Sequence, residues 1–331
     1  MILTTPTRRK LDRISRSVLD NPDSSTEDRE ASMLAYGDLC HKAAKICDDS
    51  FRYNDPEKTD FGRPISPEGA VECLRDPERA VKFIRAAYNG LLHLKKVFPG
   101  EKLDVLYGGS GPYATLFYPV LRRFPKDEVD VEIVDYHPSS LVIAESLAVK
   151  FGVRKYLSGL NQKDLTKYNP GKQFHMIVSE VMDAGLFHEP QVAVEYNLRQ
   201  FLKEGGLFVP DTVDISLAAR GITDNEGSDI ELLGKIFSLG SDVRGRIANI
   251  SDFRISGGAR IPQHLASHEM IRLLLATHVK VFDSLELAPG ESGITHYVKL
   301  PKFKASDVAG KEVFASYKPG RSWSDVDCAI I

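Results

Sequence analysis

The chain has 331 residues, of which 42% are hydrophobic and 27% charged, and its formal charge is −3. That balance is typical of a folded globular protein; it excludes disordered and collagen-like classes and gives no reason to expect a nucleic-acid partner. No run approaches the ~20 apolar residues of a membrane helix, and no apolar core follows the basic segment MILTTPTRRKLDRISRS, so a cytoplasmic protein without membrane contact is expected. Cys40, Cys47, Cys73 and Cys328 form no CxxC pair and have no His at zinc-ligand spacing, which predicts reduced thiols and no metal site.

In chain order, residues 1–24 are polar and end in the turn-like DNPDSS, which suggests a loosely held arm. STEDREASMLAYGDLCHKAAKICDD carries a Ser/Thr start, early acids and apolar residues at helical spacing, predicting a first helix. A Pro/Gly-punctuated loop, YNDPEKTDFGRPISPEG, leads to a second helical run, AVECLRDPERAVKFIRAAYNGLLHLKKVF, broken and restarted at Pro77. Then LDVLY (103–107) reads as a strand, GGSGP as a turn, YATLFYPVLRRF as a helix, VDVEIVD (129–135) as a strand and SSLVIAESLAVKFG as a helix. A short strand at 156–160, a buried strand HMIVSE (175–180), a helix near 192–202 and a turn KEGGLFVPD follow.

Strands alternating with helices predict an α/β, Rossmann-like, doubly wound sheet with the N-terminal helices before it. Beyond Pro210 the runs VDISLAA, IRLLLATHVKVFDSLEL, ITHYVKL and KEVFASY predict a β-rich, largely antiparallel unit, interrupted by a helix at DIELLGKIFSLG. The division expected is residues 1–98 as arm and helices, 99–210 as the cofactor domain and 211–331 as a barrel-like β-rich domain.

In such a sheet the ligand binds beyond the carboxyl ends of the strands. Gly108, Gly109, Ser110 and Gly111 form the first turn, where small residues allow close backbone approach, and Asp135, followed by Tyr136, ends the next strand where a carboxylate can accept ribose hydroxyls. The pattern is not GxGxxG, because Tyr113 stands where a helix-opening Gly is expected. A nucleoside without phosphates is therefore favoured over a dinucleotide.

The most specific stretch is SEVMDAGLFHEP (179–190), at the end of the fourth strand. Ser179, Glu180, Met182, Leu186, Phe187 and Glu189 resemble the double-glutamate loop of protein arginine methyltransferases, whose two acids share the same spacing. LRDPER, with Asp76 and Arg79, is similar to that family's helix segment, whose Arg grips the methionine carboxylate of the cofactor. Thr295, His296 and Tyr297 are similar to its threonine-histidine-tryptophan loop, with Tyr for Trp. The resemblance runs from about Asp76 to Leu300. It implies an S-adenosyl-L-methionine-dependent methyltransferase in which Glu180 and Glu189 clamp a guanidinium, Arg79 and Asp135 hold the cofactor, Met182 lies beside the acceptor and His296 closes the pocket or carries off a proton.

A guanidinium is a poor nucleophile because its charge is delocalised and no lone pair is free. Two carboxylates can bind its planar fork and concentrate positive charge on one side, leaving the opposite nitrogen freer to attack. Departures from the family pattern fall at Tyr107, Tyr113 and Val181, and the aromatic signature before LRDPER is not clearly reproduced, although YNDPEKTDF contains aromatics and acids that could serve. They favour a small guanidino compound, such as free arginine, as acceptor, with peptidyl arginine close behind. The GSGP turn also resembles nicotianamine synthase-like enzymes, which transfer an aminocarboxypropyl group; a methyltransferase of another small-molecule acceptor is a further alternative, and a non-enzymatic cofactor-binding paralogue is disfavoured by the retention of both Glu180 and Glu189. A homodimer is expected from the resemblance, with the segment from Gly221 to Asp252 as a candidate dimerisation arm.

Overall fold

The computed structural model describes residues 5–44, 59–223, 226–227, 229–321 and 326–330. The expected end of the first helix beyond Ala44, the aromatic segment from Tyr53 to Lys58, Cys47 and Trp323 lie outside the described residues.

The N-terminal arm is a helix, α1 (Pro6–Leu19), and not a loose segment. Thr5 caps it, Pro6 supplies a preset φ at its first position, and Leu11, Ile14 and Val18 form a buried stripe against α2 (Thr26–Ala44). Asp12 binds Arg122 through both oxygens, at 2.6 and 2.9 Å, and Arg85 donates to the carbonyls of Val18, Asn21 and Pro22. These contacts hold a segment whose polar composition concealed its apolar face. A short helix, α3 (Pro67–Glu72), and a 3₁₀ turn (Cys73–Arg75) precede α4 (Pro77–Val97). Asp76 caps α4 by accepting from the Arg79 N–H at 3.1 Å, so Pro77 restarts the helix as its sequence predicts.

Five parallel strands follow: β1 (Leu103–Gly108), β2 (Val129–Asp135), β3 (Leu157–Gln162), β4 (Phe174–Ser179) and β5 (Leu202–Val209), in the order β3-β2-β1-β4-β5. Register places Gly108 beside both Val134 and Ser179, so the turn after β1, Asp135 and Glu180 all emerge at one edge. KEGGLFV, expected as a turn, is most of β5; the pair Gly205 and Gly206 lets the strand bulge, with Gly205 at φ +76°. The helix expected after the glycine turn is reduced to one turn, α5 (Tyr118–Leu121), because Ala114 sits at φ +44° and Pro119 removes a donor. Phe117, Tyr118, Val120 and Leu121 are nonetheless fully buried. The helices α6 (Pro138–Phe151) and α7 (Gln191–Leu198) follow β2 and β4.

The C-terminal part is antiparallel. β6 (Thr212–Thr223), β7 (Glu226–Gly227), β8 (Glu231–Leu239), β9 (Ile255–Arg260), β10 (Met270–Phe282), β11 (Leu285–Leu287), β12 (Val298–Lys304), β13 (Glu312–Tyr317) and β14 (Asp327–Ile330) form a six-stranded sheet around β6 and β10 and a three-stranded sheet β14-β13-β9. DIELLGKIFSLG is not a helix. It contains β8, which pairs with β6 from Val213↔Leu239 to Ala219↔Glu231 and buries Phe237 and Leu239. The proposed arm is therefore largely sheet and core: among the described residues of 221–252 the helix is a single turn, Val243–Arg246, although Leu232 stays 59% exposed. Among the described residues no helix is long and apolar enough to cross a membrane. The whole is a Rossmann-like α/β sheet joined to a barrel-like antiparallel unit.

Candidate active site

Because β1 to β4 run parallel, their carboxyl ends deliver four loops to one cleft. At β1, Gly109 (φ +72°) and Gly111 (φ +59°) occupy the left-handed region, and a Cβ on Gly109 would lie 2.3 Å from Val181 Cγ1. Glycine there is required both by conformation and by the approach of the β4 loop. Gly108 ends the strand against Leu165, and Ser110 is buried in the turn. At β2, Asp135 is 5% exposed; Oδ2 accepts from Gly111 N–H and Oδ1 from His137 N–H, each at 2.9 Å. Burial pushes its carboxyl upward against those two hydrogen bonds. Each oxygen retains a lone pair for a hydroxyl donor.

The cleft has two lobes that share Gly109, Gly111, Ile65, Ala70 and Glu180. One contains Asp135, Tyr136, His137 and, from the end of β3, Lys163 and Asp164; the other contains Arg79, Cys73, Tyr107 and Ser110. Ile65, His137, Ser140, Lys163 and Asp164 belong to no motif legible in the sequence, and Cys73 stands out there only as a reduced thiol. The position of Lys163 and Asp164 just beyond β3 was the available signal for those two. Ser140 Oγ and His137 Nε2 are buried in or beside the first lobe with no protein partner. Together with the two glycines and Asp135, they fit a nucleoside with hydroxyl and amine groups to satisfy them.

In the second lobe Arg79 Nη2 binds Glu180 Oε2, with both side chains largely buried, at 14% and 11% exposure. Glu180 Oε1 is buried without a partner. Burial opposes charge on Arg79, but Glu180 outweighs it with help from Cys73 and Glu189, so the guanidinium is held protonated more firmly than in water. It has five N–H donors, enough to hold a ligand carboxylate while keeping Glu180. Glu189 lines neither lobe; it is half-buried in a neighbouring pocket with Asp60, Phe61 and Pro190, and its carboxyl is pushed up to about 8, first by burial and then by Glu180, with Arg79 opposing. Arg79 and Glu180 are thus in direct contact, and Glu189 feels the charge of both from the adjoining pocket. Met182 is fully buried in the core behind the loop.

His296 is exposed, its Nδ1 against the Gly293 carbonyl, and it does not line either lobe. Its turn is nevertheless tied to the site, because Asp76 Oδ2 accepts from Ser292 Oγ at 2.6 Å and Gly293 N–H at 2.8 Å while Asp76 caps α4 beside Arg79. Thr295 is fully buried and Tyr297 packs near Ala218 and Leu274.

No protein-family model and no curated protein sequence matches the chain. Similar solved structures include Arabidopsis thaliana protein arginine methyltransferase 10, at 13% identity and a TM-score of 0.55, covering 80% of this chain and 93% of that one. The Trypanosoma brucei PRMT1 enzyme-prozyme heterotetrameric complex with AdoHcy aligns at 15% identity and a TM-score of 0.52, covering 75% and 86%. The likeness is one of fold and covers at least three quarters of this chain, and the chain has the fold of the protein arginine methyltransferases.

Proposed function

We propose that the protein is an S-adenosyl-L-methionine-dependent N-methyltransferase acting on a guanidino group, with free arginine or an arginine-derived small molecule preferred and peptidyl arginine next. The observation that carries this reading is Glu180, which already holds one guanidinium through Oε2 and keeps Oε1 buried and unpartnered, within electrostatic reach of Glu189. When bound, the cofactor supplies an electrophilic sulfonium methyl. Asp135 would accept from the ribose hydroxyls, with Gly108, Gly109, Ser110, Gly111 and Tyr136 around it, and Arg79 would hold the amino-acid carboxylate.

Glu180 and Glu189 would then bind the acceptor's fork and turn the remaining nitrogen toward the methyl, with Met182 packed behind. The arriving cation favours ionised Glu189 and expels its proton. Once the nitrogen has been alkylated a proton must leave it, and the Glu189 carboxylate, whose proton affinity in the empty site lies near neutrality, would take it. His296, exposed at the neighbouring turn, would act by closing over the acceptor. Residues 1–98, 99–210 and 211–331 are read as helical, cofactor and acceptor units, and the protein as a cytoplasmic homodimer whose contact is made elsewhere than by a helical arm.

The test is incubation with methyl-labelled S-adenosylmethionine and, separately, free arginine, guanidino metabolites and Arg-rich peptides, read by mass spectrometry. Methylated guanidine with S-adenosylhomocysteine is expected. Methylthioadenosine as the sole nucleoside product would instead establish aminocarboxypropyl transfer, and no transfer to any guanidine would end the proposal.

A further inference from the structure

Glu180 and Glu189 lie at opposite ends of one loop, and each is held by a side chain from the other end. Gln191, fully buried at the start of α7, places its amide across the peptide groups that flank Glu180. Its Oε1 accepts from Val181 N–H at 3.1 Å, and its Nε2 donates to the Ser179 carbonyl at 3.2 Å. Only one amide orientation satisfies both bonds. Asp183 acts in the reverse direction. Its Oδ1 accepts from the backbone N–H of His188 at 3.0 Å and of Glu189 at 3.3 Å, and its Oδ2 lies 2.7 Å from His188 Nδ1.

We infer that Gln191 and Asp183 are positioning residues that cross-brace the loop and set the separation of the Glu180 and Glu189 carboxylates. The inference rests on the guanidinium-clamp reading for its purpose, but the brace itself is a property of the loop. A carboxylate pair can hold a planar fork only at a matched spacing, and a displacement of about 1 Å at a reacting centre costs on the order of 100-fold in rate. Other residues do not reproduce the Gln191 contacts. Glutamate keeps an acceptor for Val181 and loses the donor to Ser179, while methionine fills similar volume and makes neither bond. Burial makes the two bonds hard to replace by water, so the backbone around Glu180 has few alternatives.

The experiment uses the full chain and the variants Gln191→Met and Asp183→Asn. Three readouts are taken: affinity for S-adenosylhomocysteine, the carboxyl titration of Glu189 by ¹³C NMR of glutamate-labelled protein, assigned by its loss in Glu189→Gln, and kcat and KM for the acceptor. Because Glu180 also holds Arg79, affinity for S-adenosylhomocysteine should fall, but by a smaller factor than kcat, which should drop about 10- to 100-fold, and the Glu189 titration should move by about one pH unit or more. In a Glu180→Gln background, Gln191→Met should cost less than about threefold more, because its effect passes through Glu180. A merely structural role would lower cofactor binding and turnover together and leave the cycle multiplicative.

An unmoved titration with multiplicative losses would overturn the brace. If Gln191→Met fails to bind S-adenosylhomocysteine, Gln191→Glu is carried through the same readouts. A wild-type protein that methylates no guanidine while the titration still moves would sink the guanidine reading and support the brace; methylation with an unmoved titration would do the reverse.

Discussion

Glu189 carries the clearest pH signature of the site, because burial and Glu180 push its carboxyl from 4.5 to about 8. A folded-state value above the unfolded one means that the native state binds more protons between those limits. The stabilisation is complete below pH 4.5 and is lost as pH rises through about 8. The Tm of the ligand-free protein should therefore fall across that window, and Glu189→Gln should remove this part of the slope, as thermal scans at several pH values will show. Activity should run the other way. A guanidinium clamp needs ionised Glu189, so kcat/KM should climb about tenfold per pH unit as pH approaches 8 from below, and Glu189→Gln should cost about 100-fold or more. A wild-type profile flat from pH 6 to 8 would contradict the assignment. At Gly109 the expectation is steric. Alanine there must adopt φ +72° with its Cβ 2.3 Å from Val181 Cγ1, so Gly109→Ala should cost about 1–3 kcal/mol in stability and weaken S-adenosylhomocysteine binding. Adding Val181→Ala removes the clash but not the backbone strain, and calorimetry should show only partial recovery.

At the scale of elements, α1 makes a different kind of claim, since it touches the helical layer rather than the cleft. Leu11 is fully buried, so Leu11→Ala should destabilise the protein by about 2–4 kcal/mol in urea while leaving cofactor affinity unchanged. Unaltered stability would mean that the segment is the loose arm its composition suggests. Why α1 was illegible follows from its make-up: Leu11, Ile14 and Val18 are three apolar residues among Arg, Lys and Ser, and their stripe gains meaning only when α2 covers it. ELLGKIFSL fails for another reason. A short apolar run fits a helix or a strand equally, and pairing with β6 decides it. Strands β1, β2 and β4 were legible to within one residue, β2 to the residue, because burial on both faces makes them nearly continuous apolar runs, whereas β5, half exposed and carrying Gly205 and Gly206, was expected as a turn. The same property made the Gly108 to Gly111 turn, Asp135 and the double-glutamate loop readable as strand-end features. The pairing of Arg79 with Glu180 was not readable, since it joins residues 101 positions apart, and neither was the exposure of His296.

Across the whole molecule, the acidic loop belongs to the parallel sheet by sequence and to the antiparallel unit by its contacts. Thr277 Oγ1 on β10 accepts from Gly185 N–H at 2.8 Å, and Tyr317 OH on β13 donates to the Gly185 carbonyl at 2.8 Å. The Tyr317 ring stacks on Phe187 with centroids 4.4 Å apart, and Gly320 N–H donates to the Leu186 carbonyl at 3.2 Å. Three strand-borne or turn-borne anchors therefore fix the middle of a loop whose ends carry Glu180 and Glu189, while Asp135 and the glycine turn make no use of them. Cofactor binding and acceptor handling should consequently separate. Thr277→Val keeps shape and loses one bond to Gly185; Tyr317→Phe keeps the stack and loses the other. Each leaves a buried backbone group unpaired at a cost of about 1–3 kcal/mol, released by letting the loop shift. Both variants should bind S-adenosylhomocysteine like the wild type by calorimetry yet show raised KM or reduced kcat for the acceptor, with the double variant worse than either. Wild-type turnover in the double variant would mean that the antiparallel unit supports the fold without governing the acceptor site. Loss of S-adenosylhomocysteine binding would mean that the two halves of the molecule are not separable in this way.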